Sequence, residues 1–401
     1  MYIYICSHFE MVNDLKRFLH WGPITFFSLL ICVSWTTLHM NSMLWPPNES
    51  FASMANLGIY LASNMMTLLN FIRAVTAGPG YLPKKWQPKH INEMKFLQIC
   101  KACDGYKAPR SHHCRRCDRC VKKMDHHCPW INNCVGWGNQ LYFIYFLLYF
   151  ALTMLQASVI LSLAFYRGLF RRHFIYHGMR HLATIRLNML NAMLTMFSFG
   201  VAVGSIMATG KLVYNQMKSV FTNQTEIEQW IVKKARFRRV LNAKHSQMFL
   251  YPYDLGWLTN FNQVFDWDFQ QHGDGIVWPV RKGCDQYTLT REQLSQKLDK
   301  LARTRRYRCI YPATGHWMPI WSQGLMTGIC IPYTDDPRIC LEPNDLVHVT
   351  RIQDYWLYGE RVQQPNEKER RKGPKRGWLP SRCVIEVTDN DESAGGDGDG
   401  D

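Results

Sequence analysis

Residues 100–134 hold seven of the chain's fourteen cysteines, together with His112, His113, His126 and His127. Cys100-x-x-Cys103 and Cys114-x-x-Cys117, followed by Cys120 and Cys134, have the short spacing at which two thiolates reach one tetrahedral zinc. Six thiolates need two further ligands to close two sites. His113 and His127 are placed to supply them, giving two closed sites of three sulfurs and one nitrogen. That inventory leaves Cys128 over, in Asp125-His126-His127-Cys128-Pro129-Trp130, beside His126, which it also does not use. Sulfur attacks as thiolate, and a neighbouring imidazole and nearby metal cations favour that form. Asp125 can hold His126 in the right tautomer, so the trio reads as nucleophile, base and orienter. The plain alternative is a double zinc module that only binds a partner, with Cys128 inert. For the metals a structural role is expected. For Cys128, a carboxylate, an imidazole and a thiol falling together next to apolar spans favour chemistry.

Four apolar stretches must position this cluster: 23–44 and 52–72 before it, 141–166 and 187–213 after it. Each is near the roughly 20 residues a spanning helix needs. The expected fold class is therefore a mainly α membrane protein of four transmembrane helices, with a cytosolic two-zinc cysteine-rich domain between helices 2 and 3. Cys128 lies eleven positions before Asn139, where the third span begins, which puts the thiol near the bilayer surface. The loop with Pro46-Pro47 has no Lys or Arg, whereas the segment from Lys84 onward is Lys-rich, so the cluster and both termini are assigned to the cytosol. Arg167, Arg171, Arg172 and Arg180 run against that orientation, and the count of spans is preferred over this one loop. No cleavable signal peptide is evident. The net charge of +16 suits membrane-surface attraction, because basic residues flank apolar spans, and nucleic acid is not an expected partner. Metal-type cysteine spacing points to a reducing compartment.

Beyond the spans, Thr225 and Glu228 have capping-box spacing. Ile227, Trp230, Ile231, Phe237 and Leu241 then fall on one helical face while Lys233, Lys234, Arg236, Arg238 and Arg239 fall mostly on the other, a pattern suited to a helix lying on an anionic leaflet. Asn260 reads as a buried structural brace of the cysteine-rich domain. The turn at Gly78-Pro79-Gly80 reads as a helix stop. From about residue 304 short alternating runs (307–311, 346–349, 355–362, 383–387) predict a small all-β barrel, and 389–401 is a disordered Gly and Asp tail. The expected boundaries are 1–82 (lead and helices 1–2), 83–138 (cysteine-rich domain), 139–215 (helices 3–4), 216–300 (amphipathic helix and linker), 301–388 (barrel) and 389–401 (tail).

The run from Cys100 through Asp125-His126-His127-Cys128 to Cys134-Val135-Gly136 and Asn139 resembles the cysteine-rich domain of the DHHC-type protein S-acyltransferases, or palmitoyltransferases. The resemblance implies interleaved zinc sites: Cys100, Cys103, His113 and Cys120 for one, and Cys114, Cys117, His127 and Cys134 for the other. Thr225-Glu226-Ile227-Glu228 resembles that family's Thr-Thr-x-Glu motif, with Glu226 for the second Thr, and Gly78 stands where its Asp-Pro-Gly turn has Asp. Asp345-Leu346-Val347, Trp356 and Gly377-Trp378-Leu379-Pro380-Ser381 resemble a Src-homology-3-like barrel, which a small subset of the family carries. Trp356 stands at the groove tryptophan, while Leu357 and Cys383 stand where a second Trp and a Tyr are common. The implied function is transfer of palmitoyl or a similar long-chain acyl group from coenzyme A to protein cysteines, through a thioester on Cys128 with His126 as base and Asp125 orienting it. The alternative is a non-enzymatic membrane adaptor. Two structural zinc ions and acyl-CoA (palmitoyl-CoA) are the implied cofactor and co-substrate, with Trp130 near the thioester and Lys107, Arg110 and His112 as contacts to the coenzyme. Implied partners are proteins with cytosolic cysteines near the membrane, the bilayer itself, and proteins at the barrel. The endoplasmic reticulum membrane is the implied location, with the Golgi as alternative.

Overall fold

The computed structural model describes residues 16–241, 248–265, 273–334, 336–362 and 374–387, in two compact units, Met1–Gln293 and Leu294–Asp401. The expected acidic tail, 389–401, lies outside the described residues.

In the first unit four long helices, α1 (Trp21–Leu44), α2 (Phe51–Thr76), α3 (Gln140–Leu169) and α4 (Met189–Phe221), pack as a bundle. Three of them, α1, α3 and α4, are long and apolar enough to cross a membrane. A helix suits such sequences because it satisfies every backbone polar group internally. The fourth, α2, has 26 residues but carries Asn56, Ser63, Asn64, Thr67 and Asn70. Several of these polar groups turn inward: Asn56 donates to Asn41 Oδ1 of α1 at 3.0 Å, Gln156 of α3 donates to Asn56 Oδ1 at 2.9 Å, and the Thr67 and Thr153 hydroxyls meet at 3.3 Å. Polar residues thus lower the apolar content of α2 while tying it to its neighbours. At one end of the bundle Phe26 stacks on Phe71, ring centroids 4.2 Å apart, with Phe146 edge-on to both.

Between α2 and α3 the chain forms three antiparallel two-stranded ladders. They are β1 (Ile99–Cys100) with β2 (Gly105–Tyr106), β3 (His112–Cys114) with β4 (Arg119–Val121), and β5 (His126–Cys128) with β6 (Asn133–Val135). Asp104, Asp118 and Asn132 turn the three hairpins in the left-handed region, which Asx residues tolerate best after glycine. Two buried asparagines fasten the ladders to α2, whose last carbonyls have no intrahelical partner. Asn133 donates to Val75 O at 3.0 Å, and Asn139 donates to Ala74 O at 3.1 Å. The Gly78-Pro79-Gly80 turn does more than stop α2. Gly80 O accepts from Lys122 N–H at 2.8 Å and Pro79 O from Gly138 N–H at 3.2 Å, and a Cβ on Gly138 would lie 2.2 Å from Gly78 O.

After α4, helix α5 (Glu226–Leu241) begins with the expected capping box: Thr225 N–H donates to Glu228 Oε2 at 2.9 Å and Glu228 N–H to Thr225 Oγ1 at 3.3 Å. Its apolar face differs from the expectation. Ile231, with Val232 and Ala235, is buried against Tyr251, Tyr253, Trp278 and Leu289 and Ile227 is half-buried there, whereas Trp230 and Phe237 of the expected face stay exposed and the Leu241 side chain lies outside the described residues. A protein core was available nearby, and it removes those side chains from water without lipid. Asn260, in the short helix Trp257–Asn262, is buried and fully used, donating to Phe221 O and Asp254 Oδ1 and accepting from Leu255 N–H. It braces the end of α4 and the 254–256 turn rather than the cysteine-rich ladders.

The second unit is built on a five-stranded antiparallel sheet in the order β12-β11-β10-β7-β13. The strands are β7 (Arg305–Cys309), β10 (Leu346–Gln353), β11 (Trp356–Arg361), β12 (Arg376–Pro380) and β13 (Val384–Glu386); the short pair β8 (Ala313–Thr314) and β9 (Cys340–Leu341) brackets an insertion. Alternation along β10 and β11 places Val347, Val349 and Leu357 in one core with Cys309, Leu379 and Cys383. The groove tryptophan expected at Trp356 is fully buried: its Nε1–H donates to Thr327 O at 3.0 Å and the Arg338 guanidinium lies 5.1 Å from its ring. The insertion covers it, so Trp356 presents no open groove.

Candidate functional site

Ladder pairing builds the site. Because His113 sits opposite Cys120 on β3/β4 and His127 opposite Cys134 on β5/β6, each imidazole is delivered to a sulfur across its own hairpin. The result is two groups of four ligand atoms, Cys100, Cys103, His113 and Cys120 in one and Cys114, Cys117, His127 and Cys134 in the other, each with all atoms within 4.8 Å of one another. In the second group Cys117 Sγ lies 3.6 Å from Cys134 Sγ, and His127 Nδ1 lies 3.7, 3.5 and 3.7 Å from the sulfurs of Cys114, Cys117 and Cys134. A tetrahedron with metal–sulfur bonds of about 2.3 Å has edges of about 3.7 Å, so the donor set fits a zinc-sized ion. Both groups could hold a metal.

Cys128 belongs to neither group. It is 5 % exposed and lies in the apolar cluster at the bundle's end with Phe26, Phe71, Phe143 and Phe146. The imidazole of His126 stands edge-on to Phe143 at 5.6 Å. Its Nδ1 meets Asp125 Oδ2 at 2.8 Å, which leaves Nε2 for the thiol side. Asp125 is buried and saturated: Gln216 Nε2 of α4 donates to Oδ2 at 2.8 Å and the backbone N–H of Glu226, at the start of α5, to Oδ1 at 2.8 Å. Burial alone would push this carboxyl up, yet His126 and these donors hold it below the usual carboxylate range. Burial likewise works against charge on His126, but Asp125 and the adjacent Cys128 raise the imidazole to about 10. A cationic imidazole beside a buried thiol is the arrangement that stabilises thiolate.

Trp130 is 41 % exposed and packs edge-on against Trp21 of α1 at 5.6 Å. Lys107 is half-buried. His112 is half-buried, and burial with Lys107 and Arg110 nearby lowers it to about 4, so it is neutral. The expectation for Arg110 as a contact to the coenzyme is corrected. Its side chain is fully buried, donating from Nε and Nη2 to both oxygens of Glu228 at 2.7 and 2.9 Å and from Nη1 to Asn223 Oδ1 at 3.1 Å. Tyr251 adds its hydroxyl to Glu228 at 2.7 Å, and the rings of Tyr253 and Trp278 sandwich the guanidinium at 4.5 and 4.6 Å. A buried ion pair so enclosed has no freedom to meet a phosphate; it docks α5 onto the cysteine-rich ladders.

Sequence reasoning missed Gln216, the Glu226 backbone, Asn223 and Gly22. The only local signal was at Glu226, first residue of a capped helix, whose free N–H groups favour an anion. Gly22 is required by close approach: a Cβ there would lie 2.0 Å from Pro129 O, so only glycine lets α1 abut the Cys128-Pro129-Trp130 loop.

Comparison with known proteins agrees with this geometry. Residues 93–233 match the family model described as DHHC palmitoyltransferase. A zebrafish (Danio rerio) protein, palmitoyltransferase ZDHHC6, is 40 % identical over 390 residues, covering 94 % of this chain and 93 % of its own length. The human (Homo sapiens) palmitoyltransferase ZDHHC6 is 39 % identical over 394 residues, with 94 % and 93 % covered. The more distant palmitoyltransferase PFA4 of Mycosarcoma maydis is 28 % identical over 307 residues, 66 % of this chain and 61 % of that protein. Because the zebrafish and human proteins are matched over nearly their whole length at 40 % and 39 % identity, the chain belongs to the DHHC palmitoyltransferase family.

Proposed function

We propose that Cys128 carries the acyl group between acyl-CoA and a substrate cysteine, in a membrane-embedded protein S-palmitoyltransferase. The observation that carries this is the contact of buried Asp125 with half-buried His126, 2.8 Å apart, next to a thiol set in the apolar end of a helical bundle. In the first half-reaction His126 holds the proton of Cys128 as imidazolium. The thiolate attacks the thioester carbonyl, the bond to the coenzyme sulfur breaks, and that sulfur leaves with the proton from His126. In the second, neutral His126 takes the proton of a substrate thiol, whose sulfur attacks the acyl-Cys128 carbonyl and releases Cys128 as thiolate. One thioester replaces another, so placement matters more than driving force. Asp125, saturated by Gln216 and the Glu226 N–H, keeps Nδ1 of His126 occupied and Nε2 free for both transfers. The aromatic cluster of Phe26, Phe71, Phe143 and Phe146 offers the acyl chain an apolar path, and Lys107 is the remaining cation for the coenzyme's phosphates.

Zinc bound to each group of four would crosslink the hairpins; Cys100, Cys103, His113 and Cys120 would hold one ion and Cys114, Cys117, His127 and Cys134 the other. We read α2 as a fourth span, because its length and inward polar contacts match its three neighbours. That keeps the cluster and both termini on the cytosolic side of the endoplasmic reticulum membrane. The proposed divisions stay at 82, 138, 215, 300 and 388, with the C-terminal sheet as a Src-homology-3-like module. Substrates are proteins with cysteines near that membrane face. Purified protein incubated with labelled palmitoyl-CoA tests the central claim. Label that hydroxylamine removes is expected on wild type and absent on Cys128→Ser. Equal label on both would sink it.

A further inference from the structure

We infer that the insertion between β8 and β9 docks the second unit onto the headgroup–hydrocarbon boundary of the bilayer that holds the chain's own spans. Across residues 309–334 there is no Asp, Glu, Lys or Arg, in a chain that is 19 % charged overall. Within that stretch lie the short helices Ile320–Gln323 and Leu325–Ile329. Their inner side is fixed to the sheet. Thr327 is buried and its carbonyl receives Trp356 Nε1–H at 3.0 Å; Thr334 receives Trp378 Nε1–H at 2.8 Å; and Arg338 Nη2 donates to Pro332 O at 3.0 Å.

The outer side is apolar and uncovered. Trp321 is 101 % exposed and Tyr333 105 %, with Leu325, Met326 and Ile329 each more than half exposed. A soluble domain has little reason to hold a rigid platform whose tryptophan, tyrosine, leucine, methionine and isoleucine all face water. Trp and Tyr with aliphatic neighbours, in a stretch whose first carboxylate is Asp335 at its far end, are what the membrane interface selects. Arg382, exposed and set beside Gly324 at the joint of the two helices, adds a cation at the rim. Tethering to spans in the same chain raises the local concentration of lipid, so a shallow insertion suffices where a free domain would need a stronger anchor. A second copy of the chain or a soluble partner could cover the same face, but neither accounts for the absence of every charge along it.

The full chain in lipid nanodiscs at one copy per disc, with phosphatidylcholine bearing a photoactivatable diazirine on its acyl chain, decides the matter. Trypsin cuts after Arg308 and Arg338, so the insertion is released as one peptide, 309–338, and the sheet as another, 352–361. After illumination the 309–338 peptide is expected to carry lipid at a level comparable with peptides from the ends of the spans, and 352–361 none. Trp321→Ser, Leu325→Ser and Ile329→Ser together should abolish the label. Equal labelling of 309–338 and 352–361 in wild type overturns the proposal, whatever the variant does. So does label on 309–338 seen only when several copies share one membrane, which would assign the face to a second chain.

Discussion

Cys128 and the pair Cys309 and Cys383 are buried alike, at 5 %, 1 % and 0 % exposure, in apolar clusters. Their surroundings set them apart. In the C-terminal sheet burial, with Asp345 near Cys309 and Cys309 near Cys383, raises both thiols to about 11, and they stay protonated. At Cys128 the same burial comes with an imidazole held by a saturated carboxylate. Apolar burial alone keeps a cysteine protonated and inert, and on the proposed mechanism it is the charged imidazole beside Cys128 that makes the difference.

The largest effect on that contrast should come from removing the frame. Cys134→Ala takes a ligand from the second metal group and a residue from the β5/β6 ladder that carries Cys128 and His126. Purified variant should retain fewer than two equivalents of metal by elemental analysis, and Cys128 should acylate no better than Cys309; full metal content would contradict the assignment. Asp125→Asn should make Cys128 resemble the sheet cysteines while leaving the fold intact. An acylation rate lower by about 10²–10⁴-fold, with metal content unchanged, is expected. A smaller step is Gln216→Leu, which removes one of the donors to Asp125 and should slow acylation by about 10- to 100-fold, since one hydrogen bond to a charged group is worth roughly 1.5–3 kcal/mol.

The mildest test uses pH on the sheet itself. Folded Cys309 and Cys383 bind their protons more tightly than an unfolded chain, whose thiols titrate near 9. Their contribution to stability is therefore complete below about pH 9 and falls away as pH rises through about 11. Thermal unfolding of the sheet under reducing conditions should show that slope, and Cys309→Ala with Cys383→Ala should flatten it. A slope unchanged in the double variant would remove the thiols from the account.

Much of this was legible from residue order, but unevenly. The pairing of β3 with β4 and β5 with β6 needs only hairpins of a few residues, which is why ligand spacing in the sequence matched the gathered sulfurs. The apolar runs of α1, α3 and α4 were equally local. Helix α5 was half-read: its capping box follows from two residues three apart, but whether its apolar face meets lipid or Tyr251 and Tyr253 depends on chain that returns later. Arg110 was misread for the same reason. A basic residue in a loop looks solvated until Glu228, more than a hundred positions on, is packed over it.

The sequence by itself determined the inventory: which sulfurs and nitrogens exist, at spacings that covalent geometry and short hairpins turn into groups of four, with one thiol to spare. Only the tertiary structure decided what that thiol sees. The carboxylate behind its imidazole is held by Gln216 on a distant helix and by the first N–H of another. The tryptophan of the C-terminal sheet is sealed by an insertion whose outer face is left bare. Such choices are made by packing between segments far apart in the chain, where burial and hydrogen bonding are settled jointly and no local spacing encodes the answer.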